Sequence, residues 1–134
     1  MQQKQPFSLR NRIKSFDYSI QGIITFFKNE HNARIHAVAA VVVIALGWYC
    51  KLNRMEWCWI TLSIGLVILA EMLNTAIEYL TDLVSPEIHP LAKKTKDVAS
   101  GAVLIAAVMA VVIGLFIFIP KTVFLSSFSL RTIS

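Results

Sequence analysis

The sequence predicts an all-α integral membrane protein with three transmembrane helices and an N-terminal amphipathic helix on the membrane surface. The first observation is composition, since 56% of the 134 residues are hydrophobic and only 16% are charged, whereas an average soluble domain has roughly 45–50% and about 25%. The second is three long apolar stretches, and the third is a segment ahead of them with helical amphipathic spacing. A chain this small cannot bury so much apolar surface in water, so we expect a bilayer as its solvent.

The surface helix is predicted at about residues 8–30. Polar and charged residues occupy one side of this segment, and the apolar residues of the other side recur at steps of three and four: Leu9, Ile13, Phe16, Ile20, Ile23, Ile24 and Phe27. This pattern is typical of a helix that lies in the membrane interface. An ordinary amphipathic helix packed on the protein is the alternative that the pattern leaves open.

The three spans are predicted at about residues 33–50, 56–83 and 98–119. The third stretch carries no charge, and as a helix it is about 33 Å long, which matches a hydrocarbon core of about 30 Å. Trp48, Tyr49, Trp57 and Trp59 flank the turn between the first two stretches, as aromatic residues do at a membrane interface. We therefore expect residues 1–120 to form one membrane-embedded domain and residues 121–134 a dispensable C-terminal tail.

Basic residues predict the orientation of the chain. Of the 13 Lys and Arg residues, nine lie in the N-terminal region and in the loop after the second span, and four lie on the opposite side. The positive-inside rule then predicts that the N-terminus and the loop after the second span lie in the cytoplasm and the C-terminus outside. We expect a multi-pass protein of the inner (cytoplasmic) membrane. Because the basic residues flank apolar stretches, we expect them to face anionic lipid, and we expect no nucleic acid partner.

A polar stripe interrupts the second span within residues 70–82, AEMLNTAIEYLTD. At 100° per residue its polar members fall within an arc of about 100° on one helix face; they are Glu71, Asn74, Thr75, Glu78 and Asp82. The apolar run that precedes Glu71 is only about 21 Å long, so this acid lies at membrane depth. A charge near the bilayer interior costs about 2.5–3.5 kcal/mol, so the stripe needs a function or a partner.

Several chemistries fit this stripe. Carboxylate and amide oxygens suit Mg²⁺ with phosphate oxygens completing its shell, and a carboxylate removed from water is a candidate general base. The spacing does not say which acid does which. Two alternatives stay open: the acids could pair with Lys or Arg of neighbouring helices and fix the assembly, or they could line a small channel or proton relay.

A second polar cluster is predicted in the same interfacial layer. Lys93, Lys94, Lys96, Asp97 and Ser100 lead into the third span, and Glu30, Asn32 and Arg34 lead into the first. Basic side chains that face acids across this layer could hold a polyphosphate and its metal, with Lys96 as a point charge on phosphate. Lys93 and Lys94 fit a solvated positive flank, and the three histidines, His31, His36 and His89, are interpreted as interfacial polar residues. Soluble kinase and P-loop motifs are absent from the sequence.

Two segments carry a resemblance to a known family. EMLNTAIEYLTDLVSPEIHPLAKKTKDVASGAVLIAA and FFKNEHNARIHAVAA resemble the signature regions of the prokaryotic diacylglycerol kinases, whose pattern is E-x-L-N-[ST]-A-x-E followed by an Asp and then K-D-x-x-[SA]. The likeness covers about residues 10–120. It implies that residues 1–120 form a single lipid kinase domain that acts as a homotrimer, with sites between subunits, and transfers the γ-phosphate of ATP to a lipid hydroxyl with Mg²⁺.

The resemblance also implies roles for individual residues. Glu71 matches the general base, Glu30 and Glu78 match the acids that hold the metal on ATP, and Lys96 and Asp97 match a nucleotide-contacting pair. The weaker matches around ATP are Lys14, Tyr18, Glu87 and His89, and the matches in the lipid and phosphate-transfer region are Asn74 and Ser100.

The acceptor lipid implied by the resemblance is undecaprenol, with diacylglycerol second. The run NEHNARIH looks more like the undecaprenol kinase branch, N-E-R-N-x-R-I-H, than the diacylglycerol branch, which carries Glu at the position of His36. His31 replaces the Arg of the undecaprenol branch. Asn11 stands where a nucleotide-side Arg is often found.

Overall fold

Every element of the described structure is an α-helix. The computed structural model of the protein describes residues 9–87 and 89–131, and these form α1 (Leu9–Asn29), α2 (His31–Tyr49), α3 (Arg54–Val84) and α4 (Pro90–Arg131), with no strand among them. Residues 1–8 and 88 of the predicted kinase domain and residues 132–134 of the predicted tail lie outside the described residues.

Three of the helices are long and apolar enough to cross a membrane: α2, α3 and the Pro90–Val123 part of α4. This confirms the all-helical, three-span prediction. In α3, four of the six buried residues are polar (Ser63, Glu71, Asn74 and Thr75), whereas large apolar residues such as Leu69 and Leu73 are exposed. Lipid-facing helices show this pattern, since the bilayer is as apolar as a leucine side chain.

A tight hairpin joins α2 to α3. Gly47 near the end of α2 is buried, and a Cβ at this position would lie only 2.8 Å from Cη2 of Trp57. Lys51 in the turn adopts a left-handed φ of 51°. Asn53 caps α3, because its Oδ1 accepts from the backbone N–H of Glu56 at 3.0 Å while Glu56 Oε2 accepts from the backbone N–H of Asn53 at 2.7 Å. This reciprocal pair satisfies two backbone donors where the helix begins.

Helices α3 and α4 form the most extensive packing interface in the described chain, and an ion pair closes each end of it. Lys121 Nζ lies 3.1 Å from Glu56 Oε2 near the start of α3, and Lys96 Nζ lies 2.5 Å from Asp82 Oδ1 near its end. Helix α4 passes through Pro120 without ending and so includes residues 121–131 of the predicted tail.

One residue separates α1 from α2. Glu30 has an extended backbone (φ −91°, ψ 122°) at the N-terminus of α2, and Phe26 and Ala33 are buried on either side of this bend. The exposed side chains of α1 include Ile13, Phe16 and Ile20. The described part of the same chain therefore leaves most of the apolar face of α1 uncovered.

Candidate active site

The polar stripe of α3 faces the inside of the helix bundle. Glu71, Asn74 and Thr75 are buried, Glu78 is partly buried, and Asp82 is exposed. Residues three and four apart share one face of a helix, so burial decreases steadily along this face toward the end of α3. Glu71, at 4% exposure, lies at the buried end.

Asn74 links the buried and exposed ends of the stripe. Its Nδ2 donates a hydrogen bond to Glu78 Oε1 at 3.0 Å, one helical turn away. Its Oδ1 is buried and has no hydrogen-bond partner within the described chain. A buried acceptor without a partner loses free energy relative to water. Asn74 Oδ1 is therefore suited to accept a hydrogen bond from a bound ligand.

Glu30 reaches from the α1–α2 bend to α3. Its side chain makes no capping bond to α2, and its Oε1 instead accepts a hydrogen bond from the Tyr79 hydroxyl at 2.7 Å. Glu78, the other acid predicted to hold the metal, directly precedes Tyr79 on α3. This hydrogen bond brings Glu30 to the turn of α3 that carries Glu78. Tyr79 lies outside the predicted polar stripe, and its polar hydroxyl was the available signal in the sequence for this contact.

His36 on α2 makes a second contact that the sequence did not predict. Its Nε2 lies 3.4 Å from Glu71 Oε1, and the two side chains are 25% and 5% exposed. His36 also lines an apolar cavity of about 370 Å³ between α2, α3 and α4, together with Ser63 and small residues such as Ala40 and Ala107. The signal in the sequence was the histidine itself, where the diacylglycerol branch pattern carries an acid.

Two of the three lysines at the start of α4, Lys93 and Lys96, form ion pairs. Lys96 pairs with Asp82 of the stripe, and Lys93 Nζ lies 2.6 Å from Asp97 Oδ2. The predicted nucleotide pair, Lys96 and Asp97, is therefore split between two different partners. Ser100, one turn further along α4, is exposed.

The remaining predicted residues do not join this cluster in a single chain. Lys14 and Tyr18 are exposed on α1, and Glu87 and His89 are exposed between α3 and α4. His89 Nδ1 accepts from the backbone N–H of Leu91 at 3.2 Å, and its side chain lines a cavity of about 350 Å³ beside Thr81 and Ser85. Within the described residues, no hydrogen bond or ion pair joins these four side chains to the acids of α3.

The acids fit Mg²⁺ better than a metal that needs a complete protein cage. In the part of the chain that the structure describes, no group of three or more His, Cys, Asp or Glu side chains could hold a metal. Mg²⁺ is usually bound by one or two carboxylates, with substrate phosphates and water as its other ligands. Glu30 and Glu78 are therefore compatible with this ion.

Three apolar helices and an acidic face buried between them define a helical membrane protein with a polar site inside its bundle. Residues 17–118 match the family model described as prokaryotic diacylglycerol kinase, and the chain belongs to this family. Membership makes the protein a lipid kinase, as the resemblance implied.

Individual relatives carry two different names. The chain is 44% identical over 113 residues to the undecaprenol kinase of Bacillus subtilis, covering 84% of this chain and 92% of that protein. It is 39% identical over 111 residues to the diacylglycerol kinase of Synechocystis sp., covering 82% and 63%. It is 33% identical over 100 residues to the diacylglycerol kinase of Escherichia coli K12, covering 75% and 82%.

Proposed function

We propose that the protein phosphorylates a membrane lipid alcohol at the cytoplasmic face of the inner membrane, with ATP as phosphate donor and Mg²⁺ as cofactor. Undecaprenol is the favoured acceptor and diacylglycerol the second. The single observation that carries this proposal is the gradient along α3, where Glu71 is buried and Glu78, two turns away, is partly exposed. A lipid hydroxyl and a soluble nucleotide must meet at such a boundary between membrane and water.

Glu71 is the general base in this proposal. Its carboxylate takes the proton of the lipid hydroxyl as the hydroxyl oxygen bonds to the γ-phosphorus and the bond to the β-phosphate oxygen breaks, leaving ADP. Burial supports this role, because little water competes with the lipid hydroxyl for this carboxylate. Its depth suits an acceptor whose hydrocarbon chain lies in the bilayer.

Glu30 and Glu78 hold the metal in this proposal. When bound, Mg²⁺ supplies positive charge to the phosphate oxygens of ATP. The chain's own residues position the two acids: the Tyr79 hydroxyl donates to Glu30, and Asn74 Nδ2 donates to Glu78. Asn74 and Ser100 then line the region of phosphate transfer, where the unpaired Oδ1 of Asn74 can accept from an incoming group.

Residues of the exposed end bind the nucleotide. Lys96 exchanges Asp82 for a phosphate, since its ion pair is only partly buried and such pairs contribute little stability. Asp97 makes a further nucleotide contact. The weaker assignments around ATP are Lys14, Tyr18, Glu87 and His89.

A homotrimer with shared sites completes the proposal. Lys14 and Tyr18 do not contact the acids within one chain, so a neighbouring subunit would supply them. The exposed apolar residues of α1 support a helix lying on the cytoplasmic surface of the membrane. The N-terminus is then cytoplasmic and the C-terminus outside, with residues 1–120 as the kinase domain and 121–134 as a dispensable tail.

The choice of undecaprenol rests on the run NEHNARIH and on the similarity to the Bacillus subtilis undecaprenol kinase. Purified protein in liposomes should be given labelled ATP and Mg²⁺ with undecaprenol, with diacylglycerol, or with neither lipid. Label should enter undecaprenol most rapidly, and EDTA should abolish transfer. Faster labelling of diacylglycerol would reverse the choice of lipid. No labelling of either lipid by folded protein, together with ATP-independent ion flux, would favour a channel instead.

A further inference from the structure

The contact between His36 and Glu71 joins two helices at the most buried acid of the site. The 3.4 Å between Nε2 and Oε1 is longer than a good hydrogen bond but within ion-pair range. Catalytic contacts are often long without substrate and shorten when it binds. Because Glu71 is 4% exposed, little water is available to orient its carboxylate. A neighbouring side chain therefore has a large influence on its direction.

His36 also stands between Glu71 and the apolar cavity. The cavity follows α2 from His36 to Val43 and α3 from Ile60 to Ile68, so it extends away from Glu78 and the exposed end of the stripe. An imidazole is suited to this boundary, because its ring packs against apolar side chains while one nitrogen donates. With a proton on Nε2, the ring donates to a carboxylate in its neutral form and in its charged form alike.

We propose that His36 is a positioning residue, whose Nε2–H holds Oε1 of Glu71 so that the second carboxylate oxygen faces the lipid hydroxyl. This rests on the proposed role of Glu71 as base. A base oriented by a third group is a recurring arrangement in enzymes that activate hydroxyl groups. The histidine itself takes no proton from the lipid and touches neither phosphate nor metal.

The alternative explanation is packing alone. In that case an apolar side chain of similar size would replace His36 without loss of turnover. The two explanations separate because the amide nitrogen of Gln reaches about as far from Cβ as imidazole Nε2, whereas the amide of Asn reaches only as far as Nδ1. Gln thus restores a donor to Glu71, and Asn restores polarity without the donor in place.

The experiment measures kcat, KM for ATP and thermal unfolding of H36Q, H36N and H36L in liposomes that contain the better acceptor lipid. We expect H36L and H36N to lose about 10- to 100-fold in kcat, since misplacing a reacting group by about 1 Å can cost this much. H36Q should stay within a few-fold of the wild type. KM for ATP should be unchanged in all three, because the nucleotide binds toward the other end of the stripe.

Two further variants, S63A as a control and E71Q in parallel, distinguish a failure of the His36 role from a failure of the Glu71 role. S63A removes another polar group that lines the same cavity, but the Ser63 hydroxyl already donates to the Trp59 carbonyl at 2.8 Å, so kcat should not fall. Full activity of H36L, or equal loss in H36Q and H36L, would overturn the positioning role. E71Q is assayed beside them: if it is inactive, the base role stands whatever His36 does, and if it is active, the base role of Glu71 fails and the positioning role of His36 fails with it.

Discussion

Two regions at opposite ends of α3 differ in whether their polar groups have partners within the chain. We call residues 47–60 and Lys121 the hairpin end. There, Asn53 and Glu56 satisfy each other's backbone N–H donors, and Lys121 forms an ion pair with Glu56. At the polar face, which comprises residues 71–82, Asn74 Oδ1 is buried without a partner in the described chain and His36 approaches Glu71 only to 3.4 Å. The polar groups of the hairpin end therefore find their partners within one chain, whereas the polar face keeps an acceptor without one.

The hairpin end contains groups that stabilise the fold, and the polar face contains groups that can bind a substrate. Satisfied contacts lower the free energy of the folded chain, whereas incompletely satisfied groups are available to a substrate. Substitutions at the hairpin end should therefore change unfolding and leave turnover intact. Substitutions at the polar face should do the reverse, and equivalent substitutions in the two regions test this directly.

The largest effect is expected from the same Glu-to-Gln change in both regions. E71Q should reduce lipid phosphorylation by about 10²- to 10⁴-fold, the usual contribution of a general base, with little change in thermal unfolding because Gln preserves size and hydrogen bonding. E56Q should leave kcat unchanged and lower the unfolding temperature. Radiolabel transfer in liposomes and thermal unfolding in detergent measure the two quantities. An active E71Q would contradict the base assignment.

A smaller effect is expected from the same Asn-to-Ala change. N74A removes the donor to Glu78 and the unpaired acceptor, so we expect about a 10- to 100-fold loss of kcat, the size of effect that misplaced reacting groups produce. Its cost in stability should be small, because removal of an unsatisfied acceptor offsets the lost hydrogen bond. N53A removes a helix cap, which costs about 0.5–2 kcal/mol, and should retain full kcat. Equal losses of stability and of activity in N74A and N53A would contradict the separation of stability and turnover between the two regions.

Hydropathy and helical periodicity predicted the features that belong to single helices. The apolar stretches were long enough to identify three spans, and the 100° step placed Glu71, Asn74 and Thr75 on one face, where all three are buried. Both signals are local, because they depend only on rise and rotation per residue.

The cross-helix contacts could not be obtained in this way. Tyr79 and Glu30 are 49 residues apart, and His36 and Glu71 are on different helices. These contacts depend on how α2 is rotated about its axis and on its position along α3. The packing of side-chain ridges into grooves between the helices, together with the hairpin turn, determines both quantities. Periodicity within one helix carries no information on either quantity, so His36 could be interpreted only as an interfacial polar residue.

A change of glycine to alanine tests the packing of the hairpin end. In G47A the new Cβ would lie 2.8 Å from Trp57 Cη2 and 3.0 Å from Leu52 Cδ1, and overpacking of this kind costs about 1–3 kcal/mol. The control is G65A on α3, where no described atom apart from the neighbouring backbone of α3 itself lies within 4 Å of the added Cβ, and helix propensity favours alanine by about 0.5–1 kcal/mol. Equilibrium unfolding in mixed micelles should show a lower free energy of unfolding than the wild type for G47A and a higher one for G65A. Equal destabilisation would mean that Gly47 has no special packing role.

The smallest effect is expected from Lys121. In K121M the apolar stem of the side chain is largely kept while the 3.1 Å ion pair with Glu56 is lost, and partly exposed pairs of this kind contribute about 0–1 kcal/mol. Because salt screens such pairs, the difference in unfolding free energy between K121M and the wild type should shrink as the salt concentration rises. Turnover should not change, since Glu56 and the polar face lie at opposite ends of α3. A loss of kcat in K121M without a loss of stability would show that the hairpin end takes part in the reaction, and the separation between the two regions would then be wrong.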